Sequence, residues 1–122
     1  MTVAFIDDDA MRALNRRYRG VDRTTDVLSF GQSLPAGLKG LAAVPRLVRD
    51  LDGRLDLGDI VISAAQAQRQ ARRRRRTVGA EVAFLAAHGA LHLLGFEDET
   101  PAGYREMVRL GKAATGKASV KP

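Results

Sequence analysis

Two histidines, the only two of this chain, lie four residues apart in the stretch HGALHLLGFED, which runs from His88 to Asp98. On an α-helix, residues four apart share one face, so the two imidazoles can converge on one metal ion. The alternative interpretation is a pair of core histidines bonded to backbone carbonyls. Because unpartnered imidazoles are costly to bury on an otherwise apolar helix, the pair favours metal binding.

A third metal ligand is expected after the glycine that follows the histidines. Gly95 permits a sharp turn, and Asp98 can then reach an ion held by His88 and His92, at the position where extended zinc sites carry a third histidine. Glu97 is an adjacent competitor for this role, although the spacing favours Asp98. Three protein ligands leave one coordination position open, as catalytic zinc sites do. The stretch therefore predicts a catalytic site for Zn²⁺ or another divalent metal.

The residue after the first histidine restricts the chemistry. Zinc peptidases with this layout carry a glutamate base there, whereas this chain has Gly89. A metallopeptidase is therefore disfavoured. A glycine inside a buried helix costs roughly 0.5 to 1 kcal/mol relative to alanine, so a reason for it is expected. Room for a bulky substrate and close packing of another element are both open.

The composition excludes several classes of protein. The chain has 122 residues, 45% of them hydrophobic, which suits one compact domain with a core. It has no cysteine, so disulfides, thiolate zinc sites and a cysteine nucleophile are excluded. No apolar run is long enough to span a bilayer, and the acidic stretch MTVAFIDDDA is not a signal peptide. These features favour a cytoplasmic location and no membrane partner, while the oligomeric state is left open.

The charge of the chain favours a polyanionic partner. Twenty lysines and arginines against fourteen acidic residues give a net charge of +6. Arginine carries most of this charge, and its planar fork suits phosphate, although arginine can also accumulate without a function. The block RRRRR is either a solvated helix face or a weak RNA contact, which Arg69 would join. The residues of that contact would be Arg72, Arg73, Arg75 and Arg76.

Hydrophobic periodicity predicts an α+β fold. The predicted strands are Thr2–Ile6, Asp26–Phe30 and Leu57–Ser63. The predicted helices run from about Met11 to Gly20, Ala64 to about Arg76, Glu81 to Leu94 and Pro101 to Leu110. A small mixed β-sheet should pack against the helices, and the helix with both histidines, apolar almost all round, should be central and buried. Residues 31–56 are predicted as a long loop with room for a short helical turn. Residues 1–110 form the single predicted domain, and residues 111–122 a flexible basic tail.

Three segments of the chain resemble the YbeY family. HGALHLLGFED is similar to the signature H-G-x-L-H-L-x-G-[YF]-[DE]-H of that family. LNRRYRGVDRTTDVLSF (14–30) and LGDIVIS (57–63) match further family segments in the same order. Together the matches cover most of residues 3–110. The resemblance implies a metal-dependent, single-strand-specific endoribonuclease with one zinc or similar ion. It also implies a cytoplasmic location, action on the small ribosomal subunit and maturation of the 3′ end of 16S rRNA.

The resemblance also assigns roles to residues. His88 and His92 match the first two metal ligands and are expected to be catalytic, as is Arg19, which matches an arginine that the family places near the metal for phosphate binding. Asp26 matches a polar position whose expected role is to orient the loop beside the site. Whether water or the ribose 2′-OH attacks the phosphate is open.

Two departures from the family pattern qualify the expected function. Asp98 replaces the third histidine, and family members usually carry a further strand and helix before the segment that starts here at Thr2. The first departure adds negative charge to the site, and the second implies a thinner core. Both motivate an alternative function: a ribosome-associated RNA-binding factor whose catalysis is weak or lost. Asp98 is also the residue on which metal preference would depend.

Overall fold

A three-stranded mixed sheet forms one layer of the protein. In the computed structural model, which describes residues 1–35, 37–49 and 51–120 and side chains as far as Thr115, the strands are β1 (Thr2–Ile6), β2 (Val27–Phe30) and β3 (Asp59–Ser63). Their order is β1-β3-β2, with β1 parallel and β2 antiparallel to β3. The central β3 carries Ile60 and Ile62, both fully buried. Consecutive β-branched residues suit such a strand.

Helix α1 (Asp8–Arg19) follows β1 directly. Asp7 caps its first turn by accepting a 2.7 Å hydrogen bond from the N–H of Ala10. Gly20 ends it in the left-handed region, at φ 71°, as expected for a glycine after a helix. Met11 is fully buried on the inner face of α1. The predicted helix is therefore confirmed, although it begins three residues before Met11.

The carboxylate of Asp8 joins α1 to the other elements. It accepts hydrogen bonds from Ser63 Oγ at 2.8 Å, Thr24 Oγ1 at 3.2 Å and Arg69 Nη2 at 3.0 Å. The bonds from Ser63 and Arg69 are the main causes that lower the pKa of Asp8 below its ordinary value of 3.8. The ionised carboxylate is thus stabilised in the folded protein relative to the unfolded chain.

Replacing Asp8 with asparagine is expected to lower the free energy of unfolding at neutral pH. It should also make that free energy depend less on pH in the acidic range. Since the folded pKa is the lower one, the stabilisation is present above the unfolded pKa of about 3.8 and is lost as the pH falls through the folded pKa. An exposed ion pair of this kind contributes about 0.5 to 1 kcal/mol. Chemical denaturation from pH 7 to 2 measures both effects. Asp9→Asn in the same helical turn is the control; equal curves for the two variants would contradict the assignment.

Helix α2 (Ala64–Arg73) starts at the cap Ser63 and ends earlier than expected. The predicted end at about Arg76 is wrong, because the chain reverses at Arg75, which has a left-handed φ of 53°. The N–H of Arg75 reaches Arg72 O and that of Arg76 reaches Ala71 O, at 3.3 and 3.0 Å. This pair of bonds ends many helices, usually with glycine in the left-handed position. The arginine block is therefore part helix and part turn.

Arg75→Gly is expected to stabilise the protein. A side chain in the left-handed region costs about 1 to 2 kcal/mol, which glycine avoids at the expense of greater freedom in the unfolded chain. The net gain should be about 0.5 to 1 kcal/mol in the free energy of unfolding. Urea denaturation measures it. Arg73→Gly, inside the last helical turn, should instead destabilise by about 1 kcal/mol; a loss of stability in both variants would refute the expectation.

Helix α3 (Val78–Leu93) is the central helix of the fold. It begins three residues before the predicted Glu81, because Thr77 Oγ1 caps it by accepting from the N–H of Ala80 at 3.0 Å. The helix packs against α2, β2, β3 and a last helix, α4 (Pro101–Val120). Its contacts with the sheet lie in a cluster of buried residues made by Ile60, Ile62, Ala67, Leu85 and Leu93. The predicted α+β fold with a central, buried histidine helix is confirmed.

Helix α4 extends beyond its predicted end at Leu110. Gly111, where the predicted tail begins, is instead buried inside the helix, and a Cβ there would lie 3.4 Å from the Phe84 ring. The tail predicted from Gly111 to Pro122 is thus helical as far as Val120; Lys121 and Pro122 lie outside the described residues. The predicted long loop contains a 3₁₀ helix over Gly40–Arg46. Within the described part of the chain, no helix has the length and apolar character needed to cross a membrane.

Candidate metal centre and its cavity

The two histidines and Asp98 meet at the C-terminal half of α3. His88 Nε2 and His92 Nε2 each lie 3.3 Å from Asp98 Oδ2. The ligand atoms that the three residues offer lie within 4.8 Å of one another. Tetrahedral ligands at 2.0 to 2.1 Å from a zinc ion are about 3.3 Å apart. The three side chains therefore fit a single divalent ion with little movement.

Hydrogen bonding of the rings directs Nε2 towards this point. His92 Nδ1 lies 3.2 Å from the carbonyl oxygen of Phe96, which can only accept, so this bond needs the proton on Nδ1 and, in the neutral ring, leaves the lone pair on Nε2. His88 Nδ1 is buried and meets no acceptor among the described residues. The His88 ring is thus held only through Nε2, at Asp98, and lacks the second hydrogen bond that orients the His92 ring.

The turn after α3 brings Asp98 back to the histidines. Gly95 has φ 95°, and the chain passes so close to Leu38 that a Cβ at Gly95 would overlap the Leu38 carbonyl oxygen. The N–H of Phe96 also bonds to Leu91 O at 3.0 Å, which closes the end of the helix. Only glycine accommodates both the left-handed φ and the close approach of the Leu38 carbonyl oxygen. The sharp turn predicted at Gly95 is confirmed.

Of the two adjacent acidic residues, Asp98 lies with the histidines and Glu97 does not. The Glu97 carboxylate accepts from the N–H groups of Glu99 and Thr100, at 2.7 and 3.0 Å, and from Thr100 Oγ1 at 2.8 Å. These bonds, led by the Thr100 hydroxyl, hold the pKa of Glu97 below its ordinary value. Glu97 therefore stabilises the start of α4, and Asp98 is the one of the two acidic residues that lies beside the histidines.

The histidines also lower the pKa of the Asp98 carboxyl. Partial burial raises the pKa of the Asp98 carboxyl, but the charge of His92 and the hydrogen bond and charge of His88 outweigh that effect. The resulting pKa lies below the ordinary value of 3.8. Asp98 is therefore ionised at neutral pH, which is the state that binds a metal.

The site opens into a cavity of about 190 Å³. Its walls come from β2 and the preceding residue, the end of α2, the helix α3 and the start of α4. The lining residues are Asp26, Val27, Arg74, Phe84, Leu85, His88, His92, Asp98, Tyr104 and Val108. Asp26 Oδ1 accepts from the N–H of Val27 at 2.8 Å and from Thr25 Oγ1 at 3.4 Å. Both bonds reach adjacent residues beside the cavity, and the role of Asp26 in orienting this loop stays a prediction.

Gly89 packs against the sheet. A Cβ at this position would lie 3.0 Å from Ile60 Cγ2 and 3.1 Å from Ser29 Oγ. Ser29 also donates a 3.0 Å hydrogen bond to the Gly89 carbonyl oxygen, on the side of α3 that faces β2. Of the two explanations open from the sequence, close packing is therefore correct. A glutamate base, as in zinc peptidases, has no space here.

The arginines that the sequence singled out lie outside the residues that line the cavity. Arg19 is exposed in the last turn of α1 and does not line the cavity. Arg72, Arg73 and Arg75 are exposed, whereas Arg76 turns back to Glu81, with Nε 3.4 Å from Oε1. Arg74, which sequence reasoning did not single out, is the arginine that lines the cavity. The only feature of the sequence that could have indicated the position of Arg74 is Glu81, seven residues later. The burial of a glutamate, however, cannot be predicted from sequence.

An α+β domain whose central helix and following turn bring two histidines and one carboxylate together defines the class: a domain with a group of side chains that could hold one metal ion beside a cavity. The family model described as Endoribonuclease YbeY matches residues 1–118. The chain belongs to the YbeY family.

Relatives and one solved structure agree with this assignment. Proteins named Endoribonuclease YbeY from Anaeromyxobacter sp. (strain Fw109-5) and Moorella thermoacetica are 45% and 43% identical over 89% and 88% of this chain. The chain spans 49% and 65% of their lengths. The relative of the same name from Acholeplasma laidlawii is 38% identical over 99% of this chain and 76% of its own. The solution structure of TM1509 from Thermotoga maritima shares the fold, with a TM-score of 0.54 and 24% identity over 96% of this chain and 69% of that one.

Proposed function

We propose that this protein is a metal-dependent endoribonuclease that cleaves single-stranded RNA. The observation that carries the proposal is the convergence of His88 and His92 Nε2 on Asp98 Oδ2, each at 3.3 Å, in a chain of the YbeY family. The relatives' shared name, Endoribonuclease YbeY, supports RNA as the substrate.

Different residues of the site would bind the metal and the substrate. His88, His92 and Asp98 would hold the ion, with the Phe96 carbonyl keeping the His92 proton on Nδ1. When bound, a divalent ion supplies Lewis-acid polarisation of a phosphodiester and lowers the pKa of water. Arg19, exposed at the end of α1, is proposed to hold an RNA phosphate, as the family resemblance implies.

Single-stranded RNA fits the walls of the cavity. Tyr104 lines it and is 53% exposed, so its ring is available for stacking on an unpaired base. The net charge of +6 favours a polyanion. The exposed arginines Arg72, Arg73 and Arg75 are proposed as weak backbone contacts, whereas Arg76 is engaged with Glu81. We further propose 16S rRNA, at its 3′ end, as the substrate, the small ribosomal subunit as the partner, the cytoplasm as the location and Zn²⁺ as the ion.

The proposed activity is tested with purified protein and a 5′-labelled single-stranded RNA. Cleavage is expected, with loss on chelation and recovery when zinc is added back. Duplex RNA and single-stranded DNA are the substrate controls. Cleavage that persists after complete removal of metal would refute the metal-dependent mechanism.

The same experiment addresses the second candidate, an RNA-binding factor with weak or lost catalysis. Asp98, which adds a negative charge to the cluster in place of a neutral ligand, is the observation that favours it. Tight binding of the RNA without cleavage, at full metal occupancy, would support this second function and contradict the first. Turnover of casein would be needed to restore a peptidase, which the close packing at Gly89 disfavours.

A further inference from the structure

We propose that Arg74 is a phosphate-binding residue of the metal-site cavity, anchored by the buried carboxylate of Glu81. The inference rests on the proposed function, since it assigns the RNA phosphate a specific contact at that site. Arg74 lines the same cavity as His88, His92 and Asp98. Its side chain is 45% exposed, so a substrate in the cavity can reach it.

A fully buried carboxylate fixes the guanidinium. Glu81 has no exposed surface, and Arg74 Nη1 donates to its Oε2 at 3.1 Å and its Oε1 at 3.3 Å. Gln70 Nε2 donates to the same Oε2 at 3.1 Å. Such an anchor removes much of the rotamer freedom that an arginine otherwise loses on binding an anion. Arg74 is therefore preorganised in a way that a solvated arginine is not.

The anchor uses only part of the donors of Arg74. A guanidinium carries five N–H donors, and within the described residues only Nη1 makes a hydrogen bond. Nε and Nη2 remain for another acceptor. Bidentate binding of phosphate needs two neighbouring N–H groups of this kind.

Among the lining side chains, Arg74 is the one that can bind an anionic substrate by its charge, in addition to the ion that the site is proposed to hold. Among the residues that line the cavity, Arg74 is the only lysine or arginine, while Asp26 and Asp98 are acidic. A phosphodiester entering the cavity would meet two carboxylates, and Arg74 is the side chain placed to offset them.

The need to neutralise the buried Glu81 carboxylate does not by itself explain why Arg74 lies at the cavity. Arg76 approaches the same carboxylate, with Nε 3.4 Å from Oε1, and its guanidinium carbon lies 5.3 Å from the centre of the Phe84 ring. Gln70 adds a further donor. The left-handed turn at Arg75 lets both arginines return to Glu81, but only Arg74 lines the cavity. Arg76 is therefore a matched control that shares the anchor without facing the site.

The test compares Arg74→Ala, Arg74→Lys and Arg76→Ala in the metal-loaded protein. Three quantities are measured: kcat/KM for a single-stranded RNA, the salt dependence of RNA binding before turnover, and the thermal unfolding temperature. Arg74→Ala is expected to lower kcat/KM by about 10- to 100-fold, the range for a lost charge-assisted pair. It should also reduce the slope of log affinity against log salt by about 0.7, as for one lost contact to a single strand. Arg76→Ala leaves the hydrogen bonds from Arg74 to Glu81 in place and should therefore lower kcat/KM clearly less than Arg74→Ala does.

Arg74→Lys keeps a positive charge beside Glu81, so the variant should stay folded, but it removes the planar guanidinium group. It should retain the unfolding temperature and still lose about 10-fold in kcat/KM. Equal effects of Arg74→Ala and Arg76→Ala, or an unchanged salt slope in both Arg74 variants, would overturn the inference even if the wild type cleaves RNA. A wild type that binds RNA without cleaving it, with binding weakened only by the Arg74 variants, would refute the proposed function and leave the phosphate contact standing.

Discussion

His92→Ala is expected to abolish metal binding and RNA cleavage together. His92 supplies one of three ligand atoms that meet around Asp98 Oδ2, and the described part of the chain has no other group of three such residues. With two ligands left, the fall in affinity should be at least about 100-fold, since even loss of a partner that only orients a ligand costs 10- to 100-fold. Metal content after gel filtration should fall from about one ion per chain to near zero.

Stripped wild-type protein is the control for His92→Ala. Because the His92 side chain is 31% exposed, its truncation removes little of the core, and the two metal-free proteins should unfold at similar temperatures. Added zinc should restore cleavage to the stripped wild type and not to the variant. A variant that cleaves RNA at the wild-type rate without bound metal would refute the catalytic role of the cluster.

Asp98 variants are expected to separate metal binding from catalytic competence. Asp98→Ala should weaken metal binding by at least about 100-fold, because an ionised ligand of the cluster is removed. Asp98→His should retain the ion, since a neutral imidazole is also a zinc ligand and the position is the one where extended sites carry histidine. Isothermal titration with zinc gives the affinities, and the RNA assay gives kcat for each loaded protein.

Glu97→Gln is the matched control for the Asp98 series. It removes a carboxylate from the adjacent position, where the side chain binds the start of α4 rather than the histidines. Its zinc affinity should stay within about threefold of the wild type, whereas a lost ligand costs far more. If Glu97→Gln lost as much affinity as Asp98→Ala, the assignment of the third ligand would be wrong. A higher kcat in loaded Asp98→His than in the wild type would show that the aspartate limits catalysis.

The central elements could be predicted from the sequence because their patterns are unambiguous. Ile60, Val61 and Ile62 in succession indicate a buried strand, and β3 is the central strand of the sheet. The apolar residues around the histidines likewise indicate a central helix, which α3 is. The spacing of His88, His92 and Asp98 predicted their convergence, since helical geometry and one glycine turn determine it.

The parts that could not be predicted depend on tertiary contacts. The predicted helix ends before Gly111, yet packing against Phe84 keeps this residue inside α4. At this position packing overrides local propensity. The position of Arg74 depends on the burial of Glu81, which no periodicity of an arginine block reveals.

The ligands and the cavity walls are encoded in different parts of the chain. All three ligands fall within residues 88–98, a span whose closure costs little conformational entropy. The residues that shape the space in front of them, such as Asp26, Arg74 and Tyr104, come from segments far apart in sequence. Substitutions in those remote segments can therefore alter which nucleotides the cavity would bind, while the three residues that would bind the metal stay unchanged. Diversification of this fold should accordingly change its substrate range before it changes its ion.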